Sequence, residues 1–192
     1  MKRLSIIALA LFALSAQSGV SAQAGAGWVT LFNGKDLSNF NQVGTANWHL
    51  ADGVVQANMG AGHLVSKETY TDFEIKVEFF AGPKSNSGIY MRCLDGTKIT
   101  DKTCYEANVF DNRPDQSGRT GGIPNYAPPI AIVNAEGKWN TYEITMRGDH
   151  IVVVLNGTKT VDARDGTLKS GPIALQYQGG DIKIRNVQIR KL

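Results

Sequence analysis

Apolar and polar residues alternate along most of this chain. Residues 73–79 read FEIKVEF, which places every apolar side chain on one face of an extended strand. Residues 151–155 form a continuous apolar run, which predicts a strand covered on both faces. Asn156 and Gly157 follow this run and predict a tight hairpin turn. Further strands are predicted at 142–147, 158–161, 173–178 and 182–189.

Turn residues separate these segments, and no convincing amphipathic helix longer than two turns follows Gly25. Glycine is abundant, with 21 of 192 residues, as expected for a chain with many turns. Strands at this spacing, without helices between them, predict a single all-β domain, an antiparallel β-sandwich or barrel. One irregular stretch, 112–137, is long for a compact domain. It is either a functional or mobile loop or a passive surface insertion.

The N-terminal residues have the pattern of a secretory signal peptide. A basic start and an apolar run at 4–14 precede an A-x-A-like cleavage sequence that ends at Ala24. The apolar run is shorter than the roughly 20 residues that span a bilayer, although a retained membrane anchor is the alternative. We therefore expect a leader at 1–24 and a domain at 25–192 that is periplasmic or secreted, with no membrane association after cleavage.

The charge balance narrows the class of partner. The chain has 20 Lys and Arg against 17 Asp and Glu, a net charge of +3. Loss of Lys2 and Arg3 with the leader would reduce this charge to +1. A nucleic-acid binder would carry a clustered basic face, so no nucleic-acid partner is expected.

Two cysteines, Cys93 and Cys104, are expected to form a disulfide in an oxidising compartment. Closing the loop between them would contribute roughly 3 kcal/mol in the chain-entropy description. Two free buried thiols are the alternative. Two cysteines alone do not provide the ligands of a zinc site.

The strands that flank the cysteines are unusually polar. The two-residue period places Tyr90 and Arg92 on one face of the first strand, and Glu106 and Asn108 on one face of the second. If the register matches, Arg92 and Glu106 lie close across the pair. Such charges either line a groove or form a buried pair that only ties the strands. Asp111 has the opposite parity and joins the group only if the chain bends there.

Familiar catalytic signatures are missing from the sequence. There is no G-x-S-x-G, H-E-x-x-H, P-loop or dinucleotide fingerprint. The strand that contains Glu106 lacks the third acid of an E-x-D-x-x-E motif, so ordinary two-carboxylate glycoside hydrolysis is poorly supported. His49, His63 and His150 have no ligand spacing, and each is expected to be an ordinary surface or half-buried residue.

Short motifs along the chain nevertheless resemble, in family order, a known family. They are LFNGKDL at 31–37, YTDFE at 70–74, NSGIYMR at 86–92, the stretch 105–111 that begins YE, TGG at 120–122, GKWN at 137–140, LNG at 155–157, LQ at 175–176 and RNV at 185–187. The family is domain-of-unknown-function family 1080, also called the 3-keto-disaccharide hydrolase domain. The resemblance covers nearly all of the expected mature chain.

This resemblance implies a concanavalin A-like jelly roll of two antiparallel sheets, with a sugar site on a concave face. Family members are exported bacterial proteins, and those with assigned activity cleave glycosides whose sugar carries a 3-ketone. The motif positions fall on Asn86, Ser87, Gly88, Arg92, Glu106, Asp111 and Gln176. The chain departs from the family at Asn108, where Gln is usual, and after Gln176, where a His is common.

The implied substrate suggests a role for each of these residues. A 3-ketone makes the C2 proton acidic, so a base can remove it and the resulting enolate can expel the C1 substituent. Glu106 is expected to be the base, Arg92 to stabilise the oxyanion, and Asp111 to act as a second acid or base. The expected substrate contacts are hydrogen bonds from Asn86, Asn108 and Gln176, and ring stacking on Tyr90 or Tyr177.

Other functions remain open at this level. A divalent metal could replace Arg92 as electrophile, but the sequence shows no dedicated ligand set, and the cofactor requirement stays open at this level. The main alternative is a non-catalytic carbohydrate-binding module of the same fold. A conventional glycoside hydrolase and a structural or partner-binding protein are the others. The expected partner is a carbohydrate or glycoside, and the expected state is a monomer or small oligomer.

Overall fold

The computed structural model describes residues 27–192, so the expected leader at 1–24 lies outside the described part. Thirteen strands make up this part, together with one 3-10 turn at Gln116–Gly118. The strands are β1 Val29–Phe32, β2 Phe40–Gly44, β3 Trp48–Ala51, β4 Val54–Ala57, β5 Gly62–Tyr70, β6 Phe73–Ala81, β7 Ser87–Met91, β8 Tyr105–Val109, β9 Lys138–Arg147, β10 His150–Leu155, β11 Thr158–Arg164, β12 Gly171–Tyr177 and β13 Ile182–Lys191. In residues 27–192 no helix is long and apolar enough to cross a membrane.

The strands form two antiparallel sheets. The larger sheet has eight strands in the order β11-β10-β9-β6-β13-β4-β3, with β1 pairing beside β4 along β13. The smaller sheet has five strands in the order β2-β5-β12-β7-β8. This architecture confirms the predicted all-β antiparallel sandwich of jelly-roll type.

The core lies between the two sheets and uses one face of each. Strand β6 alternates buried and half-buried residues along its whole length, as its sequence pattern predicts. The expectation for β10 was wrong, because its burial also alternates: Ile151 and Val153 are buried, while Val152 and Val154 are half-buried. A β-branched run therefore formed a strand with one buried face here, because β10 belongs to a sheet whose second face is not covered.

A tight turn joins β10 to β11 within the larger sheet, and one buried side chain connects the larger sheet to the smaller one. Asn156 and Gly157 both have positive φ, 52° and 78°, as the predicted hairpin turn requires. Tyr142 projects from β9 in the larger sheet and is fully buried. Its hydroxyl donates to the carbonyl of Asn108 at 2.5 Å and accepts from the amide of Gly121 at 2.9 Å. The larger sheet thereby holds the end of β8 in the smaller sheet.

Candidate functional site

The outer face of the smaller sheet carries a row of polar side chains. In the β7–β8 pair, Tyr90 lies opposite Glu106 and Gly88 lies opposite Asn108. The residues between them, such as Ile89, point the other way into the core. The parity that the sequence predicts for Tyr90, Glu106 and Asn108 is therefore present in the structure.

Gly88 makes room for the carboxyl group of Glu106. A Cβ atom at this position would overlap Glu106 Oε1 and would approach Glu106 Cγ to 2.8 Å. Gly88 has an ordinary extended backbone, so the requirement for glycine comes from this close approach rather than from its φ angle. The glycine of the NSGIYMR motif thus has a direct steric reason.

The neighbouring strands complete the row. Gln176 on β12 lies opposite His63 on β5, and its Nε2 donates to the Tyr90 hydroxyl at 3.0 Å. The His63 ring meets the Tyr90 ring edge to face, with centroids 5.2 Å apart. His63, Tyr90, Glu106, Asn108 and Gln176 together form what we call the polar cluster. Sequence reasoning missed His63, and only the β5–β12 pairing brings it next to Gln176.

Three buried polar atoms of this cluster lack a partner among residues 27–192. They are His63 Nε2, Asn108 Oδ1 and Gln176 Oε1. A buried polar atom without a hydrogen bond typically costs about 1–3 kcal/mol, so it commonly marks a functional position. The hydroxyl groups of a sugar could donate to Asn108 and Gln176, and His63 could donate or accept according to its tautomer.

Burial sets the protonation of the two titratable groups at the centre. It raises the pKa of Glu106 to about 8 from the ordinary 4.5, although a hydrogen bond with Tyr90 opposes the change. Burial also lowers the pKa of His63 to about 4, so its imidazole is neutral at neutral pH. The pKa of Tyr90 is raised by burial and by the nearby Glu106 carboxyl. A carboxyl poised near neutral pH beside neutral donors suits proton transfer.

Two loops surround the Glu106 end of the cluster, the disulfide loop at 94–103 and the long loop at 112–137. The first is closed by the disulfide between Cys93 and Cys104, which confirms the predicted pairing. Ile99 from this loop packs on a small apolar group that includes Tyr90. Asp101 from the same loop raises the Glu106 pKa, whereas Arg113 from the long loop lowers it.

The disulfide loop and the long loop also contact each other. Asp101 and Arg113 approach to 3.9 Å, and Asn125 Nδ2 donates to the Asp101 carbonyl at 3.0 Å. The Tyr126 hydroxyl donates to the carbonyl of Lys102 at 3.4 Å. The predicted irregular stretch is therefore ordered around the site and is more than a detached surface insertion.

Arg92 does not lie beside Glu106, contrary to the sequence expectation. Its φ of 51° is in the left-handed region, which breaks the alternation after Tyr90. The guanidinium is fully buried and donates to the carbonyls of Thr71 at 2.7 Å, Gly148 at 2.7 Å and Leu168 at 3.2 Å. Arg92 Nη2 also donates to the carboxylate of Asp72 at 3.0 Å, so its acidic partner is Asp72 and not the predicted Glu106. Arg92 thus ties together turns at one end of the sandwich.

Asp111 is also committed elsewhere. Its carboxylate accepts from the amide of Ala135 at 2.8 Å and from the amide of Glu136 at 3.0 Å. The chain does not bend to bring Asp111 into the polar cluster, because these bonds hold it against the end of the long loop. It anchors that loop at its return to β9.

Tyr177, Asn86 and Ser87 complete the set of predicted contact residues and motif positions. Tyr177 lies on the core face of β12, where its ring packs edge to face on Trp48 at 6.1 Å, so the predicted stacking on a sugar ring does not fit its position. Asn86 is half-buried and pairs through its backbone with Gly179 at the Gly88 end of the row. Ser87 is buried and donates to the Gln176 carbonyl at 2.7 Å, so it joins β7 to β12.

No group of three or more His, Cys, Asp or Glu side chains that could hold a metal ion occurs in residues 27–192. The polar cluster offers one carboxyl, one imidazole, one phenol and two amides. This set can bind a polyhydroxylated ligand and can move a proton at one position.

Comparison with known proteins identifies the family of the chain. Residues 27–190 match the sequence profile of the 3-keto-alpha-glucoside-1,2-lyase-like domain. The chain belongs to this family. A search of curated proteins found no match. The matched residues include both loops, every member of the polar cluster and nearly all of the described sandwich.

Solved structures support the same fold. Two proteins from Parabacteroides distasonis, each named as a candidate glycosyl hydrolase, are similar to the chain. The first has 22% identity and a TM-score of 0.77 over 86% of this chain and 94% of that one. The second has 26% identity and a TM-score of 0.72 over 86% and 99%. The carbohydrate-binding module CBM66 of Bacillus subtilis has 16% identity and a TM-score of 0.61 over 86% and 96%. The chain is a carbohydrate-related domain of jelly-roll type.

Proposed function

We propose that the protein cleaves the glycosidic bond of 3-keto-glycosides by elimination followed by hydration. The observation that carries the proposal is the buried Glu106 carboxyl, 4% exposed and with a pKa of about 8, among polar atoms that await a partner. Membership of the 3-keto-alpha-glucoside-1,2-lyase-like family supports the substrate class.

In the proposed reaction, ionised Glu106 removes the proton from C2 of the sugar. The electron pair moves towards the C3 carbonyl and forms an enolate. The enolate then collapses to a C1–C2 double bond, and the C1–O bond breaks with its electrons on the leaving oxygen. That oxygen takes the proton that Glu106 removed, and water adds across the double bond with its hydroxyl on C1 and its hydrogen on C2. The net change is hydrolysis of the glycosidic bond.

A carboxylate with a raised pKa is a stronger base than an ordinary one, which favours abstraction of a weakly acidic C–H proton. The cost is that only about a tenth of the carboxyl is ionised at pH 7 before substrate binds, as a pKa of about 8 implies. Neutral donors must stabilise the enolate, because Arg92 lies elsewhere. The Tyr90 hydroxyl and the His63 ring are the candidate donors.

The direct test is product analysis by mass spectrometry. Mature protein is incubated with 3-keto-glycosides and with their unoxidised parents, with and without a chelator. We expect cleavage of the keto forms alone, and Glu106→Gln should lower kcat by at least about 100-fold. Glu68→Gln, which changes an exposed carboxylate, is the matched control and should keep full activity. Equal cleavage of the unoxidised parents, or full activity of Glu106→Gln, would contradict the proposal.

The similarity to CBM66 favours a second candidate function, carbohydrate binding without catalysis. This candidate predicts no turnover of any 3-keto-glycoside, together with saturable binding of a glycan in calorimetry. The enzyme proposal predicts turnover by the wild type, and loss of turnover with retained binding in Glu106→Gln.

We also propose that the mature protein works outside the cytoplasm. The leader pattern at 1–24 and the disulfide between Cys93 and Cys104 support this location. Intact-mass measurement of the protein from cell fractions tests it. We expect the exported fraction to contain a protein with the mass of a chain that begins at Gly25. An uncleaved protein in the cytoplasmic fraction would contradict the proposed location.

A further inference from the structure

The side chain of Arg113 meets the disulfide loop beside strand β8. Asp101 precedes this strand and Arg113 follows it, because β8 runs from Tyr105 to Val109. Arg113 Nη2 and Asp101 Oδ2 nevertheless lie 3.9 Å apart. A strand of five residues is roughly 17 Å long, so the two charged side chains bridge the ends of the strand that carries Glu106.

A short series of contacts joins Arg113 to the polar cluster. A Cβ atom at Gly118 would lie 2.9 Å from Arg113 Nε, so the guanidinium packs against this glycine. The Gly118 carbonyl in turn accepts a hydrogen bond from Asn108 Nδ2 at 2.5 Å. Burial raises the pKa of Glu106, and the positive charge of Arg113 opposes this rise. The guanidinium therefore lies near both cluster residues of β8.

The donors of Arg113 are not committed to other groups. Within residues 27–192 its guanidinium makes no hydrogen bond to a side chain or carbonyl, and its separation of 3.9 Å from Asp101 is longer than a hydrogen bond. An arginine has five N–H donors. The side chain is 28% exposed, so a ligand can reach it. Arg92 is the opposite case, because its buried guanidinium is bonded to three backbone carbonyls and to Asp72.

The proposed reaction creates a negative charge that such donors would stabilise. When Glu106 removes the C2 proton, charge develops on the C3 oxygen of the sugar. The Tyr90 hydroxyl and the His63 ring offer neutral donors to this oxygen. A hydrogen bond from a cation to an oxyanion is roughly twice as strong as a neutral one. A cationic donor would therefore lower the barrier to enolate formation further.

We propose that Arg113 is a catalytic residue whose guanidinium donates to the C3 oxygen and stabilises the enolate; the inference rests on the proposed function. The C2–H electron pair forms a C2–C3 double bond, and the carbonyl electron pair moves onto the C3 oxygen. The C2 proton passes to Glu106, and Arg113 keeps its own protons throughout. Arg113 thus takes the role that the sequence pattern assigned to Arg92.

The test separates enolate formation from bond cleavage. The 3-ketone of 1,5-anhydroglucitol has no leaving group at C1, so in D2O its C2 hydrogen can only exchange, and proton NMR measures the rate. Cleavage of a 3-keto-glycoside is measured beside it. Arg113→Gln removes the cation, Arg113→Lys keeps the charge, and Asp101→Asn removes only the acidic neighbour. The matched control is Arg164→Gln, which removes an arginine from an exposed ion pair with Asp149 on the larger sheet.

We expect Arg113→Gln to slow both C2 exchange and kcat about 100-fold, the usual loss for one oxyanion donor. KM should change less than about threefold, because the contact strengthens only as the enolate forms. Arg113→Lys should retain about a tenth of the wild-type rate, because an ammonium keeps the charge without the planar donors. Asp101→Asn should stay within about threefold of the wild type, since a half-exposed ion pair contributes little. The control should keep both rates.

Urea denaturation shows whether each variant is folded, and Arg113→Lys carries the test if Arg113→Gln is not. Wild-type exchange in folded Arg113→Gln, or wild-type rates in Arg113→Lys, would overturn the inference. An equal loss in Asp101→Asn would also overturn it, because the link between the loops would then matter rather than the cation. Slow cleavage with normal C2 exchange would assign Arg113 to the leaving oxygen instead of the enolate. Absence of both exchange and cleavage in the wild type would refute the proposed function, and the inference with it.

Discussion

Replacing Glu106 by glutamine tests the buried carboxyl through stability rather than activity. The pKa of this group is about 8 in the folded protein and 4.5 ordinarily. The folded state holds the Glu106 proton more tightly than the unfolded chain does. The protonated carboxyl therefore contributes its full stabilisation below pH 4.5, and this stabilisation is lost as the pH rises through 8. The full loss is roughly 5 kcal/mol, since one pKa unit corresponds to about 1.4 kcal/mol.

The informative range is pH 6.5 to 9. The pKa of His63 is lowered to about 4. Its titration therefore changes the unfolding free energy only at pH values below about 6.5, where the unfolded chain takes up the proton first. Within this range the wild type should lose about 2 kcal/mol of unfolding free energy more than Glu106→Gln does. Urea denaturation at several pH values measures the difference, with Glu68→Gln as the control. Parallel curves for the wild type and Glu106→Gln would refute the buried, proton-binding carboxyl.

Three further predictions follow from the same contacts. Arg92→Lys should lower the unfolding free energy measured by urea denaturation by about 3 kcal/mol, because buried carbonyls lose their donors. The folded variant should keep the kcat of the wild type. Wild-type stability together with a lost kcat would instead make Arg92 a catalytic residue. Gly88→Ala should lower kcat about 10- to 100-fold in steady-state assays, because the new Cβ displaces the Glu106 carboxyl; unchanged kcat would show that its position is not critical. The pH profile of kcat/KM should rise to a plateau above pH 8 if Glu106 is the base, whereas a fall through that pH would assign it as the acid.

The fold and half of the site were predictable because they depend on local alternation. The pattern of β6 places its apolar face correctly, and the parity of Tyr90, Glu106 and Asn108 survives in the structure because both strands are regular there. The disulfide was predictable because its two cysteines flank a single hairpin.

The failures come from features that a period of two does not encode. Arg92 leaves the predicted face because Arg92 itself adopts a positive φ. No glycine beside it in the sequence indicates such a backbone conformation. Asp111 is tied to backbone amides at Ala135 and Glu136, whose position depends on the whole long loop. His63 was missed because its neighbour Gln176 is distant in sequence and is brought near only by the β5–β12 pairing. Burial and long-range pairing decided these residues.

The contact of Tyr142 with both Asn108 and Gly121 has a consequence for local opening of the molecule. Its hydroxyl links the larger sheet to the end of β8 and to Gly121 in the interior of the ordered long loop. The end of β8 therefore does not fray separately from the rest of the sandwich, because its release breaks bonds that span the core. The amide hydrogen of Gly121 should exchange with deuterium only as slowly as the whole domain unfolds, although it lies in a loop.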